Sequence, residues 1–191
     1  MKAKRLLEKS VVSTYAQALF EASREADHAL SNVSALEQTA DTIRSHHDLH
    51  DALCGQELPG EHKHALIQEL LSEHYPAELV SVVAIMAERG DIDLIGRVAA
   101  AYKELVETDL NVVITEVTTA VELDDHLRQL ITDKIASMTG KQAYLEEQVD
   151  PSILGGIILT AQGKRMDASI SAQLLHARAA LSKPVSIGGE A

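Results

Sequence analysis

Aromatic residues are scarce in this sequence of 191 residues, which has no tryptophan and a single phenylalanine, Phe20. Hydrophobic residues nevertheless make up 46% of the chain, so intrinsic disorder is not the expected state. Any core must therefore be built from leucine, isoleucine, valine and alanine, which suits packing between helices. The length allows one mid-sized domain or two small ones.

The sequence also lacks a second cysteine and a long apolar segment. Cys54 is the single cysteine, which excludes an internal disulfide and fits a reducing compartment. No apolar run approaches the ~20 residues that a membrane-spanning helix needs. Leu6 and Leu7 are too short an apolar stretch for a signal peptide, although Met1–Lys9 is basic. We expect a soluble cytosolic protein that meets a membrane only through a partner.

Positive charge is in deficit, since 17 lysines and arginines face 29 aspartates and glutamates and the formal net charge is −12. The first 109 residues carry −9 of this charge and the remainder carries −3. An acidic surface repels phosphate groups, so direct binding of nucleic acid or anionic lipid is not expected. The excess of acid by itself indicates little more than solubility.

Apolar residues recur with a helical period throughout the first 109 residues. The first stripe is evident from Val11 onward and includes Val12, Leu19 and Ala26. The later predicted helices cover residues 29–46, 48–54, 59–71, 77–89 and 91–105. Gly90 is placed to end one of these helices and Asp91 to cap the next. The prediction for residues 1–109 is a bundle of six helices with short connections.

The pattern changes after Asp109. β-branched residues alternate with others from Asn111 to Val121, which predicts a strand. Asp124 should cap a helix, and its predicted apolar face comprises Leu127, Leu130, Ile131, Ile135 and Met138. Two more strands are predicted at 142–149 and 157–159, and a last helix at 169–181. The expected fold class is α+β: the six-helix bundle, a small β-α-β-β-α domain at 110–183, and a loose tail at 184–191.

Residue patterns for catalysis or metal binding are weak. The closely spaced histidines are His46, His47, His50, His62 and His64. They lack a cysteine pair for structural zinc and the glutamate of a zinc-protease motif. Cys54 has no basic neighbour in sequence to lower its pKa. Gly155-Gly156 is not followed by the Gly-Lys-Ser or Gly-Lys-Thr of a phosphate-binding loop. We expect no catalytic site, no metal site and no cofactor.

The fifth predicted helix has more apolar surface than one stripe requires, since only Ser81 interrupts the apolar run from Leu79 to Ala87. One face can cover the bundle, which leaves other apolar residues for a second surface. Those residues are Val80, Ala84 and Ala87 in this helix and Val11, Ala18 and Ala22 in the first. Two such helices side by side would form a groove for an amphipathic partner helix. The alternative is that both are simply central helices of the bundle.

Four segments carry a resemblance to a known family, in the right order and spacing over residues 10–182. They are Tyr15-Ala-Gln-Ala-Leu-Phe20, Met86-Ala-Glu-Arg-Gly-Asp-Ile92, Val149-Asp-Pro-Ser-Ile-Leu-Gly-Gly-Ile-Ile158 and Met166-Asp-Ala-Ser-Ile170. Together they resemble the delta subunits of bacterial F-type ATP synthases, called the oligomycin-sensitivity-conferring protein in mitochondria. The last two segments are the most specific.

The resemblance implies a subunit without catalysis or cofactor, a stator clamp that resists rotor torque while proton transport drives ATP synthesis. Residues 1–109 would grip the N-terminal helix of an alpha subunit between the first and fifth helices. Residues 110–183 would hold the b-subunit peripheral stalk at the cytoplasmic face of the bacterial cell membrane. The expected groove residues are Val11, Tyr15, Ala18, Leu19, Ala22, Val80, Val83, Ala84 and Ala87. The family signature of the second domain comprises Asp150, Pro151, Gly155, Gly156, Asp167 and Ser169.

Two departures from the family pattern bear on structure. Thr14 stands where the family usually has arginine, and Ala168 stands where it usually has glycine. If that second position needs a positive φ, Ala168 would be strained. The alternative function is an unrelated helical adaptor that uses the same groove. An enzyme site in the acidic α/β domain and a nucleic-acid regulator are weaker candidates.

Overall fold

The computed structural model of the chain describes residues 2–55 and 58–181. It divides into two compact units, Met1–Leu110 and Asn111–Ala191. The loose tail predicted at 184–191 lies outside the described residues. Among the described helices, none combines the length and the apolar character that crossing a membrane requires.

The described part of the first unit holds six α-helices, as the periodicity predicted. They are α1 (Lys2–Glu25), α2 (Ser31–Ser45), α3 (His47–Cys54), α4 (Gly60–Leu71), α5 (Ala77–Arg89) and α6 (Ile95–Asp109), with a 3₁₀ turn at Ile92–Leu94 between the last two. Helix α1 begins well before Val11. Leu6 and Leu7 are 75% and 68% exposed, so these two apolar residues give no buried stripe that periodicity could reveal.

Aliphatic side chains from α1, α2, α5 and α6 fill the centre of this bundle. Tyr102 of α6 is fully buried there, and its hydroxyl donates a hydrogen bond of 2.9 Å to the Ala29 carbonyl. Its ring meets Phe20 edge to face, with 6.4 Å between the ring centroids. Phe20 and Tyr102 therefore form an aromatic contact between α1 and α6, and aliphatic side chains supply most of the surrounding core.

Helix ends follow the local sequence in most places. Gly90 and Gly140 end α5 and the following unit's first helix with φ values of 76° and 70°, which glycine adopts without strain. The Asp124 carboxylate accepts a hydrogen bond from the Leu127 amide at 2.7 Å, as expected of an N-cap. Asp91 does not cap α6, contrary to expectation: the 3₁₀ turn intervenes, and Asp91 instead accepts a hydrogen bond from Tyr15.

The second unit is a four-stranded mixed sheet with two helices. Its elements are β1 (Val112–Thr119), α7 (Asp125–Thr139), β2 (Gln142–Val149), a 3₁₀ turn (Pro151–Ile153), β3 (Ile157–Ala161), β4 (Lys164–Asp167) and α8 (Ile170–Leu181). The strand order is β2-β1-β3-β4, with β1 parallel to β2 and the other pairs antiparallel. The predicted α+β class is confirmed.

The sequence missed strand β4, so the predicted β-α-β-β-α order is wrong by one strand. All four residues of β4 are exposed, and one of them is Met166. With no buried face there is no alternation of apolar and polar residues to reveal the strand. It forms because the Gln162-Gly163 turn returns the chain alongside β3, where Ile158 pairs with Asp167.

Helix α7 buries less of its predicted apolar face than such a pattern suggests. Ile131 is the buried side chain of this helix. Leu127, Leu130 and Met138 are 46%, 55% and 73% exposed. A regular apolar stripe therefore marks a helix correctly here, while much of that stripe stays uncovered within the unit.

Candidate partner-binding site

Helices α1 and α5 lie side by side and run antiparallel. The Tyr15 hydroxyl of α1 donates a hydrogen bond of 2.9 Å to Asp91, just beyond the C-terminal end of α5. At the other end, His28 Nδ1 lies 2.8 Å from Oε1 of Glu78, in the first turn of α5. Polar contacts thus fix both ends of this helix pair.

Helix α5 is covered from more than one side, because it packs against both α1 and α4. The start of α4 approaches it closely: a Cβ on Gly60 would lie 2.8 Å from the Glu88 carbonyl oxygen. Val80, Ala84 and Ala87 are at most 4% exposed. The expectation that these three side chains face a second, open surface is therefore wrong, since neighbouring helices of the same unit already cover them.

Three further residues expected in the groove also belong to the core. Tyr15 is 8% exposed, and Leu19 and Val83 are fully buried. Burial and then the Asp91 carboxylate raise the pKa of Tyr15, while Arg89 acts in the opposite direction. Leu19 and Val83 therefore belong to the packed layer beneath any groove, and Tyr15 leaves only a small part of its side chain open to a partner.

The remaining three predicted residues lie on the open side of α1. Ala18 is exposed, and Val11 and Ala22 are half-buried. They share one helical stripe with Tyr15, at spacings of three and four residues. Two of them are alanines, so a partner backbone can approach α1 closely along this stripe.

The facing side of α5 presents a stripe that the sequence did not single out. Arg89 interacts with the Tyr15 hydroxyl, and Glu78 pairs with His28, so both residues lie on the side of α5 that adjoins α1. Val82 and Ile85 lie between them at helical spacing. Val82 is half-buried and Ile85 is 38% exposed. The spacing of these four residues could have revealed the stripe in the sequence. It did not stand out, because apolar residues occur on every side of α5.

The resulting groove has an apolar centre and charged ends. Val11, Ala18 and Ala22 line one side, and Val82 and Ile85 line the other, and we call this set the α1–α5 groove. Arg89 stands at one end and Glu78 at the opposite end. Burial opposes the charge on Glu78, but hydrogen bonds from its own amide, His28 and Asn32 outweigh it and lower the pKa of Glu78. The carboxylate therefore places a negative charge at this end of the α1–α5 groove, where its side chain is 15% exposed.

The family signature of the second unit has a structural role around the second 3₁₀ turn. The Asp150 carboxylate accepts a hydrogen bond of 2.9 Å from the Ser152 amide, and Pro151 begins the turn. These Ser152 contacts lower the pKa of Asp150. The sequence Asp-Pro-Ser is thus a capped turn that leads the chain from β2 toward β3.

The two glycines of the signature allow a close backbone crossing. Gly156 has a φ of 79°, and a Cβ there would lie 2.3 Å from the Ala168 carbonyl oxygen. A Cβ on Gly155 would lie 2.8 Å from the Ile170 side chain. Ala168 itself is not among the residues with positive φ, so the strain considered at this position is absent.

Asp167 and Ser169 start helix α8. The Asp167 carboxylate accepts hydrogen bonds from the Ser169 hydroxyl at 2.6 Å and from its amide at 3.1 Å. The hydroxyl oxygen in turn accepts from the Ala172 amide at 3.2 Å, as an N-cap does. Ser169 is fully buried, and its two contacts lower the pKa of Asp167. Asp167 and Ser169 of the signature therefore position the start of α8.

Helix α8 leaves most of its apolar side chains uncovered within the unit. Ile170, Leu174 and Leu175 are 45%, 56% and 65% exposed. Leu154 and Met166, near the N-terminal end of this helix, are 64% and 60% exposed. A contiguous set of large apolar side chains of this kind is a common mark of a protein interface.

Comparison with known proteins was consistent across sequence and structure. A family model described as "ATP synthase delta (OSCP) subunit" matches residues 11–181. A protein of Prochlorococcus marinus (strain MIT 9301) described as "ATP synthase subunit delta" is 30% identical over 175 residues, which cover 91% of this chain and 97% of the relative. A protein of Rubrobacter xylanophilus with the same description is 31% identical over 173 residues, covering 90% and 96%.

Solved structures of similar fold include the following one. It is a chain of the Toxoplasma gondii mitochondrial ATP synthase hexamer, determined by cryo-electron microscopy. The two chains are 15% identical with a TM-score of 0.52, and the match covers 91% of this chain and 98% of that one. At this identity the likeness is one of fold alone.

Proposed function

The chain belongs to the ATP synthase delta (OSCP) subunit family, and we propose how its two units perform the stator role of that family. The first unit binds the N-terminal helix of an alpha subunit in the α1–α5 groove. The second unit binds the b-subunit peripheral stalk. The protein thereby links the catalytic head to the membrane sector at the cytoplasmic face of the bacterial cell membrane, without catalysing a reaction itself.

The observation that carries the first assignment is the α1–α5 groove itself. An amphipathic helix laid between α1 and α5 would bury its apolar face against Ala18, Ala22 and Ile85. Arg89 and Glu78 at opposite ends would favour one direction of that helix over the other, since oppositely charged ends complement a helix dipole and its terminal residues. Alanines on α1 permit a close approach, which increases the apolar area removed from water.

A stator clamp must bind tightly because rotor torque would otherwise turn the head. Tight binding on a preformed surface comes mainly from buried apolar anchors, with charges at the rim contributing orientation. The α1–α5 groove fits this requirement, because hydrogen bonds at both ends of the helix pair hold its two walls in place. Family membership also decides against the alternative of an unrelated helical adaptor.

The second assignment depends on helix α8. Leu174 and Leu175 of this helix, together with Leu154 and Met166, are large apolar side chains that stay more than half exposed within the second unit. We assign this surface to the stalk. A helical stalk with an apolar stripe would cover these side chains and remove them from water.

Titration with a synthetic peptide of the N-terminal segment of the cognate alpha subunit tests the groove. We expect saturable binding, weakened at least about tenfold, or ~1.4 kcal/mol, by Ala18→Asp or by Ile85→Asp. Both positions are open to solvent, so the unit should stay folded. Leu70→Asp is the matched control, because Leu70 of α4 is 45% exposed but lies outside the groove.

A third variant separates the groove from the core beneath it. Val80→Asp places a charge at a site that is 4% exposed, so it should unfold the first unit rather than weaken binding selectively. Circular dichroism of each variant distinguishes the two effects. Binding that is unchanged by both Ala18→Asp and Ile85→Asp would refute the groove assignment, while leaving family membership intact.

A further inference from the structure

Three side chains that can bind metal converge between α3 and the 3₁₀ turn that follows α5. His50 and Cys54 lie one helical turn apart on α3, and Asp93 belongs to the 3₁₀ turn. Asp93 Oδ1 lies 3.1 Å from His50 Nε2 and 3.2 Å from Cys54 Sγ. The remaining pair, Cys54 Sγ and His50 Nε2, is 3.5 Å apart.

These distances match the edges of a zinc coordination tetrahedron. Zinc binds nitrogen and oxygen at ~2.0–2.1 Å and sulfur at ~2.3 Å, so tetrahedral angles place its ligand atoms roughly 3.3–3.6 Å apart. The three observed separations of 3.1, 3.2 and 3.5 Å are close to that range. We propose that His50, Cys54 and Asp93 form a zinc-binding site in which water occupies the fourth position.

The chemistry of the three donors favours zinc over other common divalent ions. A thiolate and an imidazole together select a borderline-soft ion, whereas magnesium and calcium take oxygen ligands. The Cys54 thiol donates a hydrogen bond to Asp93 in the metal-free arrangement. Zinc binding forms a Zn–S bond and releases that thiol proton to solvent. The thiolate and the carboxylate together then balance the 2+ charge of the ion.

Burial and then the Asp93 carboxylate raise the pKa of the Cys54 thiol to about 11, so zinc has to displace the thiol proton. Two charged groups flank the cluster. Asp51 Oδ1 stands 3.5 Å from His50 Nδ1, the ring nitrogen that faces away from the cluster. Nε2 donates to Asp93 in the metal-free arrangement, so zinc binding has to move that proton, and the Asp51 carboxylate favours its place on Nδ1, which leaves the lone pair of Nε2 for the metal. Lys63 is the nearby cation, but its ammonium donates a 2.7 Å hydrogen bond to the Gly55 carbonyl.

Solvent reaches the site, so an ion can enter it. The side chains of His50 and Asp93 are 37% and 66% exposed, and Cys54 is half-buried. A bound ion would tie the eight-residue helix α3 to the turn between α5 and α6. Sequence patterns did not indicate such a site, because Asp93 lies 39 residues from Cys54 and no second cysteine is present.

Cobalt(II) titration of the untagged protein tests this proposal, since tetrahedral cobalt with a thiolate ligand has visible d–d bands and an ultraviolet charge-transfer band. We expect saturation at one equivalent and displacement by zinc. Cys54→Ser should abolish the charge-transfer band. Affinity in Cys54→Ser, His50→Gln or Asp93→Asn should fall at least about tenfold, the smallest loss that changing even an outer partner of a metal site usually causes.

His47→Gln is the matched control, because His47 is an exposed histidine of the same helix outside the cluster. This variant should bind cobalt and zinc like the unchanged protein. Circular dichroism and binding of the alpha-subunit peptide show whether each variant is folded. The proposal would be overturned by cobalt binding without a charge-transfer band, or by Cys54→Ser and Asp93→Asn variants that bind cobalt as tightly as the unchanged protein.

Discussion

The hydroxyl of Tyr15 donates a 2.9 Å hydrogen bond to the carboxylate of Asp91, 76 residues further along the chain. This contact joins the middle of α1 to Asp91, two residues beyond the end of α5. It sets the spacing of the two helices that form the α1–α5 groove. The sequence predicted that Tyr15 lines the binding surface. In the structure it lies largely beneath that surface and links α1 to the segment after α5.

Removing the hydrogen bond between Tyr15 and Asp91 should destabilise the first unit modestly at neutral pH. Tyr15→Phe loses a hydrogen bond that is largely shielded from solvent, and a typical net loss is about 1 kcal/mol in the free energy of unfolding. Urea unfolding at constant temperature measures this change. Asp91→Asn is the companion variant, since the asparagine oxygen can still accept the hydrogen bond and the loss should be smaller.

The same pair also contributes to alkaline unfolding. Burial and Asp91 raise the pKa of Tyr15 in the folded state, so its contribution to stability is complete below the unfolded pKa of ~10 and is lost as the pH rises through the folded pKa. The stability of Tyr15→Phe should therefore fall less steeply above about pH 10. An identical alkaline decline in the variant would contradict this role for Tyr15.

A pair of glycines separates backbone strain from steric overlap in the second unit. Gly156 and Gly163 both have positive φ, 79° and 72°, but a Cβ on Gly163 meets nothing within 4 Å. Gly163→Ala should cost about 1–2 kcal/mol in unfolding free energy, the usual penalty of a left-handed conformation. Gly156→Ala should cost clearly more, because its Cβ would overlap the Ala168 carbonyl. Thermal and urea unfolding measure both losses. If Gly156→Ala and Gly163→Ala lost the same unfolding free energy, the close backbone crossing at Gly156 would be excluded.

The hydrogen bonds around Asp167 should make the second unit sensitive to acid. Contacts from the side chain and then the backbone of Ser169 lower the pKa of Asp167. Its contribution is therefore present above the unfolded pKa of ~3.9 and is lost as the pH falls through the folded pKa. Asp167→Asn should be less stable than the unchanged protein at neutral pH, and the difference should shrink near pH ~3. Asp133→Asn is the control, because Asp133 is an exposed residue of α7. If Asp167→Asn were less stable than the unchanged protein by the same amount at both pH values, this mechanism would be contradicted.

The exposed leucines of α8 should matter for stalk binding and little for folding. Leu174→Asp and Leu175→Asp change side chains that are more than half exposed, so thermal stability should change little. Binding of a soluble b-subunit fragment should weaken at least about tenfold in each variant. Leu130→Asp is the comparison on α7, where the side chain is similarly exposed at 55%. Loss of binding in Leu130→Asp alone would move the stalk site from α8 to α7.

Local sequence was sufficient wherever structure depends on near neighbours in the chain. Periodicity predicted the six helices of the first unit, and alternation of β-branched residues predicted β1. Asp124, Gly90 and Gly140 end or begin helices as their chemistry requires. Strand β4 was missed, because a strand that buries no side chain has no pattern to read and depends on its pairing with β3.

The candidate site, by contrast, depends on contacts between residues that are distant in the chain. An apolar run such as Leu79–Ala87 specifies a buried helix, but its periodicity cannot say which side a neighbour covers. Packing of α5 between α1 and α4 buried Val80, Ala84 and Ala87 and left Ile85 open. The sequence by itself therefore determined the two kinds of unit, the helix ends and the motifs of the family. Only the tertiary structure decided which apolar side chains line the α1–α5 groove and that Asp93 meets Cys54, because those contacts join residues that are distant in the chain.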